Sequence, residues 1–187
     1  MEHTRDKQWA KVGARHSRAV AQFLTAAKEL SGAQWRAPID DDKWTPAQIT
    51  QHVTQTYDVL TRQLRTGTGL RVQTGWLLRQ VLRVVVLLPI MWTRRLPPGA
   101  KAARELLPGE TDLGQEEALA RLGAAVAGFE HELQTRRDEA RLQLTHHIFG
   151  SVEAVKGLDF VAVHTEHHAR QLSRQLRRGV GTATPPN

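Results

Sequence analysis

The chain has 187 residues, a length typical of one domain with a substantial core. It contains no cysteine, which excludes disulfides, zinc–thiolate sites and a protein thiol nucleophile and fits a reducing compartment. The formal net charge is +7, but the 20 arginines are scattered and aromatic residues do not alternate with them, as a stacking platform for nucleic acid would require. We therefore expect a solvated basic surface, and nucleic-acid binding is disfavoured.

The N-terminal residues are charged and lack the apolar segment of a signal peptide. The longest apolar run, residues 84–92, is shorter than the roughly 20 residues that span a bilayer, and Pro89 interrupts it. From this we expect a cytoplasmic protein without a transmembrane segment.

The first helix is expected at residues 14–30, after an irregular lead-in that contains Trp9. His16 falls on the apolar stripe of this helix and is expected to be half-buried by packing. A loop is predicted at residues 33–43, where three aspartates precede the next helix N-terminus and favour it through the helix dipole.

The second helix begins with a capping box formed by Thr45 and Gln48, followed by Pro46 at the first helical position. It runs to about residue 65 and is expected to end near Gly67. His52 lies on its apolar face.

Residues 73–92 are apolar on nearly every side of a predicted helix. Such a helix is buried in a core, covered by a second subunit, or laid on a membrane surface. A core or subunit-interface position is favoured, and we expect a homodimer. A long connection rich in proline and glycine follows at residues 94–111, of a length that is often functional or spans a bundle.

A further helix is predicted from Asp112, with Gln115 at capping-box spacing and a heptad-like apolar stripe. His131 lies off this stripe and is expected in solvent. The last helix covers residues 158–176, a flexible tail is expected at 179–187, and residues 1–178 form a single helical domain. No β-strand pattern is evident.

Two histidines of the last helix, His164 and His168, are four residues apart and lie on its inward face, together with Gln171. His167 points about 60° away from that face. Imidazoles at positions i and i+4 can bind one metal ion, and His52 is the best candidate for a third ligand.

A single histidine on an apolar face is more often a core residue satisfied by a hydrogen bond, and that alternative stays open for each of the three. Three such histidines on two helices favour a metal site. Three protein ligands leave coordination positions open, which is the pattern of catalytic rather than structural zinc.

Several of these segments together resemble the DinB/YfiT-like superfamily. They are Trp-Thr-Pro-Ala-Gln-Ile-Thr-Gln-His (44–52), Pro-Gly-Ala-Lys (98–101), Glu-Leu-Leu-Pro (105–108), His-His-Ile-Phe-Gly (146–150) and His-Thr-Glu-His-His-Ala-Arg-Gln (164–171). The resemblance implies an all-α, usually dimeric four-helix bundle with an additional short helix or long crossover connection. It also implies a divalent metal, zinc or nickel, at His52, His164 and His168, and leaves the roles of His146 and His147 open.

The resemblance further implies an enzyme that uses a small-molecule thiol, such as mycothiol, bacillithiol or glutathione, for S-transfer. The alternatives are a metal-dependent hydrolase and a non-enzymatic, stress-associated binding protein whose metal site is vestigial or structural. Basic residues could hold the carboxylates of the thiol, and two glutamates are candidate general bases. The basic candidates are Arg94, Arg95 and Lys101, and the candidate general bases are Glu130 and Glu166.

Overall fold

The computed structural model of the protein describes residues 2–97, 99, 102–139 and 141–181. Four long helices form a bundle: α1 (Glu2–Lys28), α3 (Pro46–Thr66), α6 (Gln115–Arg136) and α7 (Ala154–Gly181). In it, α1 packs along α7 and α3 packs along α6. The predicted all-α, four-helix class is confirmed. The tail was predicted from residue 179, whereas α7 continues to Gly181, three residues into it.

The first helix begins at Glu2, so the prediction of an irregular lead-in was wrong. Val12 is buried in the main core, and Trp9 packs against that core. Because residues 9, 12, 16 and 23 recur at helical spacing, the apolar stripe of α1 extends about two turns further towards the N-terminus than expected.

The entry to α3 has the predicted capping box: Thr45 Oγ1 accepts from the backbone N–H of Gln48, whose side chain accepts from the N–H of Thr45. Gly67 ends the helix in the left-handed region, with φ 74°. The loop predicted at residues 33–43, before α3, overlaps a short helix, α2 (Gly32–Arg36), which the sequence did not predict. Burial of Trp35 in the main core stabilises this single turn.

Residues Trp76–Thr93 form one continuous helix, which we call the apolar helix. It comprises α4 (Trp76–Leu82), a π turn (Arg83–Leu87) and α5 (Leu88–Thr93). Only Ile90 is fully buried, so the apolar helix is not a core helix. The alternative expectation, a position at a subunit interface, stays a prediction. By length and composition the apolar helix could cross a membrane, although core helices and signal sequences meet the same criterion.

The apolar helix is held against a β-hairpin that the sequence analysis did not predict. Strands β1 (Gln143–His146) and β2 (Gly150–Glu153) pair antiparallel, and each is too short for its alternation to be recognised. Arg83 donates from Nε to the carbonyl of Phe149 at 2.8 Å and from Nη2 to that of Ser151 at 2.6 Å.

The connection after the apolar helix contains a 3-10 turn, Arg104–Leu106, that packs against α3. The following helix begins at Gln115 with Gly114 as its N-cap and without a side-chain cap, so the predicted Asp112 cap was wrong. Gln115 instead donates to the carbonyls of Ala27, in the last turn of α1, and of Leu30, just beyond it, which ties the two helices together.

Candidate metal centre

The three histidines singled out from the sequence meet between α3 and α7. The Nε2 atom of His164 lies 3.0 Å from that of His52 and 3.2 Å from that of His168. One ring nitrogen from each residue falls within 4.8 Å of the other two. Helical periodicity had placed all three on inward faces, and the packing of the two helices brings those faces together.

The imidazole of His52 is oriented by the connection that follows the apolar helix. Its Nδ1 lies 2.7 Å from the carbonyl oxygen of Leu106, in the 3-10 turn. A carbonyl oxygen only accepts, so Nδ1 carries the hydrogen and Nε2 of the neutral ring presents its lone pair. The long connection therefore fixes the tautomer of one site histidine.

His168 is oriented in the same way from within its own helix. Its Nδ1 donates to Oε1 of Gln171 at 2.7 Å, one turn further along α7. His168 and Gln171 thus lie on the same face of α7, as predicted, and this hydrogen bond joins them. Nε2 of His168 is left as an acceptor, pointing to the same place as Nε2 of His52.

The consequence is a concentration of lone pairs around Nε2 of His164. A single hydrogen on that nitrogen cannot bond both neighbours well, and Nδ1 of the same ring is buried without a hydrogen-bond partner. A cation between the three nitrogens would satisfy all of them. Two nitrogens that each lie ~2.0–2.1 Å from one ion are ~3.3–3.4 Å apart at the tetrahedral angle. The two measured separations, 3.0 and 3.2 Å, are slightly shorter than this.

Burial keeps the three rings in the neutral, ligating form. Desolvation is the largest effect and lowers the pKa of His164 and His168 well below 6.5, and neighbouring imidazoles lower both further. Desolvation also lowers the pKa of His52, partly offset by its bond to Leu106. Within the described residues no carboxylate or fourth histidine joins the group, so a bound ion would keep open positions.

The other histidines of this region have different environments. His167 contacts the ring of His168 at a centroid distance of 5.2 Å and is not a member of the group. Nδ1 of His146 accepts from the backbone N–H groups of Ile148 and Phe149 in the hairpin turn, and burial lowers the pKa of this ring to about 3. His146 therefore stabilises the hairpin turn through these two hydrogen bonds.

The candidate general bases both have close partners. Glu166 binds Arg94 at 2.9 Å and also contacts Arg170, while Glu130 lies 3.0 Å from Nδ1 of His16. His16 is fully buried rather than half-buried as predicted. The sequence contained no local signal for the pairs Glu166–Arg94 and Glu130–His16, because each joins residues at least 72 positions apart. Only the contact of Glu166 with Arg170 is local.

Among the basic residues proposed to hold a substrate carboxylate, Arg94 is already engaged by two acidic side chains. Its guanidinium already bridges Asp159 and Glu166, each at 2.9 Å. Arg95 is exposed, and Lys101 lies outside the described residues. Arg95 is therefore the remaining described candidate.

A family model described as the DinB superfamily matches residues 15–172. The chain belongs to the DinB superfamily. The bundle is also similar to the crystal structure of TT2238, a four-helix bundle protein, with a TM-score of 0.51, 19% sequence identity, and coverage of 93% of this chain and 99% of that chain. At this identity the similarity to TT2238 supports the fold alone. A search of curated proteins found no match. Metal binding is typical of DinB proteins, and the three-histidine group could bind a metal ion.

Proposed function

We propose that this DinB protein is a metal-dependent enzyme in which His52, His164 and His168 hold a divalent ion, zinc or nickel, and that it transfers groups to or from a small-molecule thiol. The observation that carries the proposal is the set of three converging Nε2 atoms. Two of these nitrogens have their lone pairs directed inward by hydrogen bonds to Leu106 and Gln171. Such outer hydrogen bonds are characteristic of histidines that ligate metals.

The chemistry expected at this site depends on its open positions. When bound, a divalent ion supplies a positive charge that favours the thiolate form of a thiol at neutral pH. The chain has no cysteine, so the sulfur must come from a cosubstrate.

Thiol transfer is favoured over hydrolysis by the state of the two candidate bases. Hydrolysis by the same ligand set is helped by a group that accepts a proton from water. Glu130 and Glu166 are the candidates, and both are already paired with cationic or imidazole partners. A thiol, whose ordinary pKa is ~8.5, loses its proton far more readily than water and needs less assistance.

The test begins with elemental analysis of protein purified without an affinity tag. The loaded protein is then incubated with mycothiol, bacillithiol or glutathione and an electrophilic acceptor, and thiol consumption is followed. We expect turnover that His168→Ala abolishes and His167→Ala retains. Ester hydrolysis without thiol would identify a hydrolase instead. Stoichiometric metal without either activity would support a binding protein.

A further inference from the structure

The apolar helix exposes a continuous hydrophobic face that the metal-site proposal does not use. Eight large side chains on it are more than half exposed, from Leu78 at 53% to Trp92 at 88%. The exposed face consists of Trp76, Leu77, Leu78, Val81, Val84, Val85, Leu88 and Trp92. An apolar patch of this size on a folded chain marks a binding surface.

The charge of the surrounding sequence indicates the nature of the partner. Residues 59–104 contain no aspartate or glutamate but nine arginines and lysines. This acid-free segment carries +9, while the whole chain carries +7, so the remainder carries −2. The apolar helix lies in the middle of the segment, which therefore combines an apolar face with a concentrated positive charge.

Most of this charge is not neutralised by the rest of the molecule. Among the described arginines of the acid-free segment, only Arg65 and Arg94 form ion pairs. Arg71 and Arg95 are exposed on either side of the apolar helix. A partner that is both apolar and anionic would complement this surface.

We propose that the exposed face of the apolar helix binds the surface of a membrane that contains anionic lipids. Trp76 and Trp92 stand near its two ends, and amphipathic aromatic rings are favoured at the boundary between headgroups and acyl chains. Arg71 and Arg95 would contact anionic headgroups from the flanks.

The contacts on the other side of the helix indicate that it lies on the bilayer and does not cross it. Arg83 is bonded to two carbonyl oxygens of the hairpin, and Ile90 is buried against Phe149 and Val163. A spanning helix would need to lose these contacts to be surrounded by lipid. An interfacial helix keeps them and inserts only its exposed face.

A second copy of the chain is the competing occupant of this face. Two copies packed about a two-fold axis would bring two apolar helices, each flanked by the exposed Arg71 and Arg95, to the same interface. Like charges at a close interface are unfavourable unless acidic groups separate them. The charge distribution therefore favours lipid over self-association.

The experiment is sedimentation of the full chain with vesicles of phosphatidylcholine alone or with a quarter of phosphatidylglycerol. We expect stronger binding to the anionic vesicles, loss of binding at high salt, and a blue shift of tryptophan emission that Trp92→Phe reduces. Val85→Asp should weaken binding about tenfold or more, because it places a charge on the inserted face.

Leu107→Asp is the matched control, since Leu107 is 51% exposed outside the apolar helix and Val85 is 64% exposed within it. Both variants add the same charge, and circular dichroism should show that both fold. The proposal is overturned if anionic vesicles do not bind, or if the two variants bind alike. It is also overturned if light scattering shows a dimer that only Val85→Asp dissociates, which would assign the face to a second copy.

Discussion

The metal centre predicts a graded response to three substitutions within one turn of α7. His168→Ala removes a nitrogen that points at the other two site histidines. Gln171→Leu keeps all three nitrogens and removes only the hydrogen bond that orients His168. His167→Ala removes a neighbouring imidazole that is not a member of the group. The expected order of loss in zinc affinity is His168→Ala, then Gln171→Leu, then His167→Ala.

The size of each loss follows from the contact that is removed. Loss of an outer hydrogen bond to a ligating histidine typically costs ~10–100-fold in metal affinity. We therefore expect roughly that reduction for Gln171→Leu, and at least about 100-fold for His168→Ala because the ligand itself is lost. His167→Ala should change the affinity less than about threefold.

The assay is competition with a chromophoric zinc chelator, using apoprotein prepared by dialysis and checked by circular dichroism. All three variants are measured at the same pH, since proton and metal compete for the ring nitrogens. Equal affinities for His168→Ala and His167→Ala would refute the assignment of the ligands. A Gln171→Leu variant as weak as His168→Ala would refute the argument that Gln171 acts only by orientation.

Three further outcomes are expected. The unfolding free energy of the apoprotein should fall as the pH drops below 6.5. Below that pH the unfolded chain protonates its histidines, whereas the lowered pKa values of His164 and His168 keep these rings neutral in the folded protein. Zinc affinity should decline only at still lower pH, where the folded rings become protonated. Arg94→Ala should destabilise the fold by ~1–2 kcal/mol in urea titrations, because Asp159 is left with one cation. Its control, Arg121→Ala, removes an exposed ion pair and should cost less than ~0.5 kcal/mol. Tyr57→Phe should cost ~1–3 kcal/mol, because its buried hydroxyl bonds His16 and Thr165 at 2.9 Å each.

The sequence by itself determined the features that depend on local spacing. The capping box at Thr45, the end of α3 at Gly67 and the inward placement of His52 follow from short-range rules that hold in any packing. The same applies to His164 and His168, since one helical turn fixes their relative direction. Local spacing therefore predicted that these histidines face inward, and the packing of α3 and α7 brought them together.

Only the tertiary structure decided which groups surround those histidines and what covers each helix. Leu106 reaches His52 across 54 residues, and Arg94 reaches Glu166 across 72. The burial of His16 and the exposure of the apolar helix likewise depend on which distant segments lie beside them. Periodicity shows that a face is apolar but not whether another segment meets it, because the partner is chosen by the packing of the whole chain.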